Sequence, residues 1–321
     1  MMKYLLSLQL IILLITAGCA NITRDLSIYD LRCESLTEPL GIATCNPVLS
    51  WKISSKVNGT AQRAYQILVA GNIKQLNDTD ADMWNSGKIL SSSGIYVPYN
   101  GKPLTSRSLC YWKVRIWNEN DEVSGWSAPS TFSIGLLNES DWKAQFIGLF
   151  FPSENTVSPQ LRKTFDLKGS PGKLFLHVNS LGYHEVFLNG RKAGDGVLTP
   201  AVSQFNKRSL ALTYNLTSFA REGRNDLVIW LGRGWYSNGL PGVLENGPYV
   251  RAQAELLSDG RWETIVVTDT SWSGRDSGYS TIGTWRPHRF GGEQVDASLV
   301  LNDLTSGSLD NTTWSGVSAI Q

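Results

Sequence analysis

The chain has 321 residues, and its charges almost balance, with 29 Lys and Arg against 28 Asp and Glu. A net charge of +1 without a basic stripe argues against nucleic acid as a partner, because phosphate binding needs clustered Lys and Arg. The length is sufficient for two domains. The twelve tryptophans either present rings to a sugar or fill the cores of sandwiches.

Residues 1–18 have the pattern of a secretory signal peptide. An apolar run from Leu5 to Ile15 is too short to cross a bilayer, because a spanning helix needs about 20 residues. The run ends in TAGC (16–19), which resembles the lipobox of bacterial lipoproteins and predicts lipidation at Cys19. An ordinary signal peptide with an incidental cysteine is the alternative. The lipobox implies export and an N-terminal lipid that anchors the protein to a bacterial membrane, at the outer membrane or in the periplasm.

Three cysteines remain after Cys19, namely Cys33, Cys45 and Cys110. An odd number cannot all pair within one chain, although an exported location permits a disulfide. A bond between Cys33 and Cys45 is one option, which the sequence leaves open.

Residues 30–135 have the composition of short strands separated by turns. Within 111–120, Val114 and Ile116 alternate with charged residues, which is the period of a half-buried strand. Further strands are predicted over 47–53, 64–70 and 129–135, and a short helix is favoured only within 72–84. Short strands at regular spacing predict a β-sandwich.

A second all-β region is predicted over 141–300. The two strands of 174–190 close on Asn189-Gly190, which is the strongest short hairpin signal, and a second hairpin over 251–272 turns at Asp259-Gly260. A short helix is expected from Leu216 to Arg221, and residues 286–300 are expected to close the sandwich. The polar residues 301–321 are predicted to form a linker.

Several motifs in this order carry a family resemblance. They are LRCESLTEPLGI (31–42), WNSGKI (84–89), YWKVRIWNENDEVSGWS (111–127), GYHEVFLNGRKAGDGVLTP (182–200) and LGRGWYSNGLPG (231–242). Together they resemble the N-terminal region of bacterial α-L-rhamnosidases. The resemblance implies two consecutive sandwiches, a fibronectin-III-like one over 30–135 and a galactose-binding-type jelly roll over 141–300. It also implies that Trp51 is a core residue.

The resemblance places the chemistry elsewhere. An inverting glycosidase needs two carboxyl groups about 6.5–9.5 Å apart, and in this family both lie on a helical barrel that nothing in this sequence resembles. No pair is marked as catalytic among the carboxylates of the second region, which are Glu185, Asp195, Glu245, Glu293 and Asp296. We therefore predict no catalytic residue here, and we expect His177, His184 and His288 to be structural.

Some sandwiches of this family bind rhamnose with the help of a calcium ion. The resemblance therefore implies either a sugar site in the loops of the second region or, as in many sandwiches of this type, a domain that only packs against the catalytic barrel. The predicted carbohydrate-binding residues are Asn189, Asn206, Arg233, Trp235 and Tyr236, and Gln204 and Asn238 have suitable chemistry. Asp195 and Asn206 are the predicted calcium ligands, because calcium prefers oxygen donors. The rings of Trp235 and Tyr236 either face a sugar or cap the core.

These observations predict the non-catalytic N-terminal part of an exported α-L-rhamnosidase that degrades rhamnose-containing glycans of plants or bacteria. Two alternatives stay open. The chain is a free-standing carbohydrate-binding lipoprotein, or it is a structural subunit that docks a separately encoded catalytic domain.

Overall fold

The computed structural model describes residues 26–149, 157–169, 172–236, 240–244, 247–283, 291–301, 304 and 314–320. The regular secondary structure of the described residues is almost wholly β-strand, which confirms the all-β prediction. None of its helices has the length and apolar character needed to cross a membrane.

The chain divides into two compact units, and their boundaries differ from a simple cut between two consecutive regions. Glu38–Pro47 and Pro103–Cys110 belong to the second unit although they lie inside the first predicted region. Backbone hydrogen bonds explain this, because the Ile42 amide donates to Ser133 and the Gly135 amide donates back to Ile42. Both partners lie in the part of the second unit that begins at Thr131.

The first unit contains two antiparallel sheets. One sheet has the order β1-β2-β6, and in the other β3 pairs with β4, β5 and β7. The strand bounds in this part of the chain are β1 Leu26–Cys33, β2 Val48–Ser55, β3 Gln62–Ala70, β4 Trp84–Asn85, β5 Ile89–Leu90, β6 Val97–Pro98, β7 Leu109–Asn118 and β8 Ser130–Ser133. Trp51 of β2 is buried, as expected, and packs edge-on against Tyr65 of β3 at 5.3 Å between ring centroids. The predicted helix within 72–84 is a single 3₁₀ turn, Ile73–Gln75.

Strand β7 alternates as predicted, with buried Trp112, Val114 and Ile116 between partly exposed residues. Beside it, the Ser124 and Ser127 hydroxyls accept the amide protons of Ile116 and Val114 at 3.0 and 3.1 Å. These bonds hold the segment between the two serines along the strand.

The segment places Trp126 against the partly exposed cations of β7. Trp126 lies under Arg115 and Lys113 at 4.5 and 4.8 Å, and Trp117 lies under Lys88 at 4.7 Å. We call these five side chains the cation–aromatic ladder.

The second unit is a sandwich of two antiparallel sheets. The bounds are β9 Phe146–Gly148, β10 Val157–Leu167, β11 Lys173–Leu181, β12 Tyr183–Leu188, β13 Arg191–Ala193, β14 Ala211–Asn215, β15 Gly223–Gly232, β16 Tyr249–Ser258, β17 Arg261–Val267, β18 Ser273–Ile282, β19 Gly292–Val295, β20 Ser315–Gly316 and β21 Ser318–Ile320. One sheet runs β13-β12-β15-β10-β18-β19 and the other β14-β11-β16-β9-β21. Leu161 and Ile229 of the first sheet meet Leu174 and Val250 of the second in one apolar core.

Both predicted hairpin turns of the second unit are confirmed. Asn189-Gly190 joins β12 to β13 with φ of 52° and 79°, and Asp259-Gly260 joins β16 to β17 with φ of 49° and 76°. Two residues of positive φ suit the right-handed twist of the paired strands.

Two other expectations differ from the structure. Leu216 to Arg221 is a turn, in which Phe219 and Ala220 both donate to the Leu216 carbonyl, because Gly223 already begins β15. Two short strands, β20 and β21, lie within the segment that was expected to be a linker. Val317, between them, is buried in the core, and Ala319 of β21 pairs with Ile147 of β9.

The cysteines lie in different surroundings. Cys33 and Cys110 are buried, whereas Cys45 is exposed. No disulfide joins Cys33 to Cys45 in the described chain.

Candidate functional site

An open cleft of about 570 Å³ lies among the loops of the second unit. We call it the aromatic cleft. Its lining residues are Val202, Ser203, Gln204, Phe205, Asn206, Lys207, Trp235, Leu240 and Pro241. Three residues with predicted sugar chemistry, Gln204, Asn206 and Trp235, therefore meet in one place. The Trp235 side chain is 39% exposed, so part of its ring is accessible to a ligand.

Two glycines shape this cleft. A β-carbon on Gly242, whose φ is 82°, would lie 2.3 Å from the Asn206 backbone nitrogen, so the two loops meet only because residue 242 has no side chain. A β-carbon on Gly234 would lie 2.5 Å from the ring of Tyr183. The glycine-rich sequence therefore permits the close approach that puts Trp235 beside Asn206.

Tyr236 is a correction to the predicted sugar contacts. It is fully buried, its phenol oxygen accepts the Leu244 amide proton at 2.7 Å, and burial raises its pKa. Its ring meets Phe205 and Tyr249 edge-on, at 5.1 and 6.5 Å between centroids. The ring therefore belongs to the core, whereas its neighbour Trp235 faces the cleft.

The side chain of Asn189 is also held by hydrogen bonds within the protein. Its amide nitrogen donates to Phe219 O and Asn225 Oδ1 at 3.0 and 2.8 Å, and its side-chain oxygen accepts the Asp226 amide proton at 3.0 Å. The bonds to Asn225 and Asp226 tie the β12–β13 turn to β15, and the bond to Phe219 ties it to the turn at 216–221. The prediction that Asn189 contacts sugar is therefore corrected, because its side chain already has protein partners.

Arg233 has a partner within its own turn. Its Nε donates to the Tyr236 carbonyl at 3.2 Å, which closes the turn that carries Trp235.

The residues do not fit the predicted calcium ion. Asp195 lines a different cleft from Asn206, and both side chains are exposed. Calcium takes six to eight oxygen ligands, and the described residues contain no group of three or more His, Cys, Asp or Glu able to hold a metal. The structure therefore does not bring these two predicted calcium ligands together in one cleft.

A second cleft, of about 250 Å³, lies against β12, β13 and β14. We call it the phenol cleft. Its lining includes Leu40, His184, Glu185, Lys192, Asp195, Thr199, Leu212, Thr213 and Tyr214. His184 is buried, with Nδ1 2.7 Å from Ser180 Oγ and Nε2 2.8 Å from the Tyr214 hydroxyl. No sequence signal pointed to Tyr214, since it lies 30 residues from His184.

The remaining candidate acids and histidines have ordinary structural surroundings. Glu185 pairs with Lys192, whereas Glu293 and Asp296 are exposed. His177 contacts Thr213 Oγ1 at 2.9 Å and lies 3.7 Å from Glu255. Cys19, Asn238, Glu245 and His288 lie outside the described residues.

Comparison with known families accounts for both units. Residues 28–138 match the model described as a Rha78A-like, N-terminal immunoglobulin domain, and residues 170–321 match the α-L-rhamnosidase N-terminal domain. The chain therefore belongs to the α-L-rhamnosidase family through its two N-terminal domains.

Named relatives agree with this assignment. An α-L-rhamnosidase of Formosa agariphila is 31% identical over 300 residues, which cover 89% of this chain and 32% of the relative. One from an Alteromonas species is 33% identical over 298 residues, with 88% and 32% coverage. The rhamnosidase region therefore spans about a third of the length of these curated relatives.

Solved structures show the same fold. The α-L-rhamnosidase from Dictyoglumus thermophilum superposes with a TM-score of 0.80 at 29% identity, covering 94% of this chain and 34% of that one. The Aspergillus terreus enzyme gives 0.78 at 26% identity, with coverage of 92% and 34%. The two units of this rhamnosidase region therefore adopt the fold of solved rhamnosidases.

Proposed function

We propose that this region is a non-catalytic part of an exported α-L-rhamnosidase and that its aromatic cleft binds a terminal L-rhamnose of a glycan. The observation that carries the proposal is the partly exposed ring of Trp235 beside the amides of Gln204 and Asn206. An aromatic face packs on the apolar C–H face of a pyranose, and amides hydrogen-bond to its hydroxyls.

The charge of the aromatic cleft supports binding over hydrolysis. Its described lining contains Lys207 and no carboxylate. An inverting glycosidase needs one carboxylic acid to protonate the leaving oxygen and one carboxylate to activate water. The described lining supplies stacking and hydrogen bonds but neither of these groups.

The expected affinity is weak. Stacking on one ring contributes about 1 kcal/mol, and association costs several kcal/mol of translational and rotational freedom. A dissociation constant on the order of 1 mM corresponds to about 4 kcal/mol of binding free energy. Such a site acts by raising the local concentration of a polymeric glycan near a linked domain.

Titration calorimetry with L-rhamnose tests the binding proposal. Trp235→Ala should weaken binding about fivefold, because about 1 kcal/mol of stacking is lost, whereas Trp235→Phe should retain most of it. A chelator should leave the wild-type isotherm unchanged, since the predicted calcium ligands do not converge. Absence of heat with wild type, or equal binding by a folded Trp235→Ala variant, would overturn the proposal.

The non-catalytic assignment has its own test. Purified chain should release no product from an aryl α-L-rhamnoside. Turnover that is lost when one carboxylate, such as Glu185 or Asp195, is replaced by its amide would contradict the assignment.

The proposed location depends on Cys19. Cells that express wild type should carry the protein in the membrane fraction, and Cys19→Ser should release it. Identical fractionation of the two proteins would contradict lipid anchoring.

A further inference from the structure

The hydrogen bonds that link Tyr214, His184 and Ser180 to the Gly182 carbonyl have a fixed donor–acceptor order. Ser180 Oγ donates to the Gly182 carbonyl at 2.8 Å, so its oxygen must accept the proton of His184 Nδ1. His184 Nε2 is then an acceptor, and the Tyr214 hydroxyl donates to it. The phenol proton is therefore directed at His184, and toward a ligand the phenol oxygen can act only as an acceptor.

Burial of the His184 ring maintains this donor–acceptor order. Desolvation lowers the pKa of His184 to about 4, so the ring is neutral near pH 7 and Nε2 stays unprotonated. Thr199 forms a hydrogen bond with the Tyr214 hydroxyl, and its own hydroxyl lies 3.5 Å from the His184 carbonyl. A chain of five hydrogen-bonded groups thus fixes the orientation of the Tyr214 hydroxyl. The groups are the Gly182 carbonyl, Ser180, His184, Tyr214 and Thr199.

The outcome is a cleft rich in hydrogen-bond acceptors. The Tyr214 oxygen is joined by the carboxylates of Asp195 and Glu185, while the Lys192 ammonium is engaged by Glu185. Such a wall suits a ligand that donates several hydrogen bonds. An anionic sugar would meet the like charges of Asp195 and Glu185, and the described residues contain no group of three or more His, Cys, Asp or Glu that could hold a metal ion.

The volume and the apolar lining of the phenol cleft indicate which class of ligand it can hold. A volume of about 250 Å³ is below the 300–1,000 Å³ typical of drug-sized ligands, and it suits a single sugar ring. Leu40 and Leu212 add apolar surface for the C–H face of such a ring. Gly194, whose β-carbon would lie 3.2 Å from the Tyr214 ring, keeps one edge of the phenol clear.

We propose that the phenol cleft is a second sugar site, separate from the aromatic cleft, in which Tyr214, Asp195 and Glu185 accept hydrogen bonds from the hydroxyls of one neutral sugar ring. The site itself follows from its own geometry. The choice of L-rhamnose as its ligand rests on the proposed function of the aromatic cleft.

Amide NMR of the full ¹⁵N-labelled chain, titrated with L-rhamnose, distinguishes the two sites. Residues 193–196 report on the phenol cleft and residues 203–207 on the aromatic cleft. We expect both groups of resonances to shift and saturate. Trp235→Ala should weaken only the response of 203–207.

Asp195→Ala is the first variant of the phenol cleft, because Asp195 is exposed and its loss should not affect folding. It should weaken the response of 193–196 on the order of threefold or more, as for the loss of one hydrogen bond. Tyr214→Phe should do the same, with its fold checked by thermal melting. Glu293→Ala, an exposed acid on β19, is the matched control and should change neither response.

Each outcome separates the two proposals. Shifts at 203–207 without shifts at 193–196 would overturn the second site and leave the proposed function standing. Shifts at 193–196 alone would overturn the aromatic cleft and support the second site. Wild-type affinity in folded Asp195→Ala and Tyr214→Phe would also overturn the second site.

Discussion

Both units contain an arginine with several side-chain partners, Arg107 in the second unit and Arg115 in the first, and these two networks differ in burial. In the second unit, Arg107 donates to both Glu255 carboxylate oxygens at 2.7 and 2.9 Å and to Asp141 at 3.1 Å. Side-chain exposure is 22% for Arg107 and 1% for Glu255. In the first unit, Arg115 stacks on Trp126 and donates twice to Gln66, while its acid partner Asp78 is 53% exposed.

From this difference we expect that burial, more than the number of partners, sets how much a charged side chain contributes to the free energy of unfolding. A carboxylate removed from water loses several kcal/mol of hydration, which only its partners offset. An exposed pair loses little hydration and contributes about 0–1 kcal/mol. We therefore expect the Arg107 network to dominate stability and the ladder to make smaller contributions.

The largest effect should come from Arg107→Met, which leaves Glu255 buried without its main cation. Breaking a buried pair in this way costs about 3–5 kcal/mol. Urea unfolding measures the loss, and Arg261→Met, at an exposed position on β17, should stay within about 0.5 kcal/mol. Equal stability of the two variants would contradict the role assigned to burial.

The pH dependence of the same network is the second prediction. Burial alone would raise the pKa of Glu255, but the nearby His177 imidazole and the hydrogen bonds from Arg107 and Gln253 outweigh it and lower that pKa to about 2 from 4.5. The unfolded chain therefore binds the proton first, so stability present above pH 4.5 is lost as pH falls toward 2. The loss is about 3 kcal/mol at 1.36 kcal/mol per pKa unit.

Thermal melting of wild type and Glu255→Gln between pH 6 and 2.5 checks this prediction. The variant is less stable at pH 6 but should lose less stability on acidification. Parallel curves for the two proteins would show that another group controls the acid response.

Arg115→Met should have an intermediate effect within the ladder. Methionine keeps much of the packing on Trp126, but the cation–π contact is lost and Gln66 Oε1, which is buried, loses both donors. Together these changes should cost about 1–2 kcal/mol. In the double variant Arg115→Met/Gln66→Met, a loss smaller than the sum of the single losses would confirm the coupling.

Lys88→Met should have the smallest effect. Its ammonium lies 4.7 Å from the Trp117 ring and 2.5 Å from an Asp121 carboxylate that is half exposed. Because water solvates both charges, we expect a change several-fold smaller than that of Arg115→Met, and smaller still in high salt. A loss of unfolding free energy as large as that of Arg107→Met would contradict the proposed difference between the two networks.

Much of the fold followed from local patterns in the sequence. The alternation of Val114 and Ile116 with charged residues identified β7, and two dipeptides identified the hairpin turns at 189–190 and 259–260. These features are set within a few residues, because strand period and turn geometry depend on neighbouring side chains and backbone angles. The motifs of the α-L-rhamnosidase N-terminal region were readable in the sequence for the same reason.

The sites depended on contacts between distant residues, so the sequence predicted them only in part. It placed Trp235 and Asn206 in suitable loops, but it could not separate Trp235, at the cleft, from Tyr236, in the core. Asn189 has the chemistry of a sugar ligand, yet its partner Asn225 lies 36 residues away and holds its amide.

The sequence by itself therefore determined the all-β class, most strands, the turns and the family. The tertiary structure alone decided that segments 38–47 and 103–110 join the second unit and that Tyr214 and His184 meet at one cleft. The physical reason is that burial and hydrogen-bond partners are properties of the packed sheets. A side chain that is suited to bind a ligand serves the fold instead when packing supplies it with a protein partner.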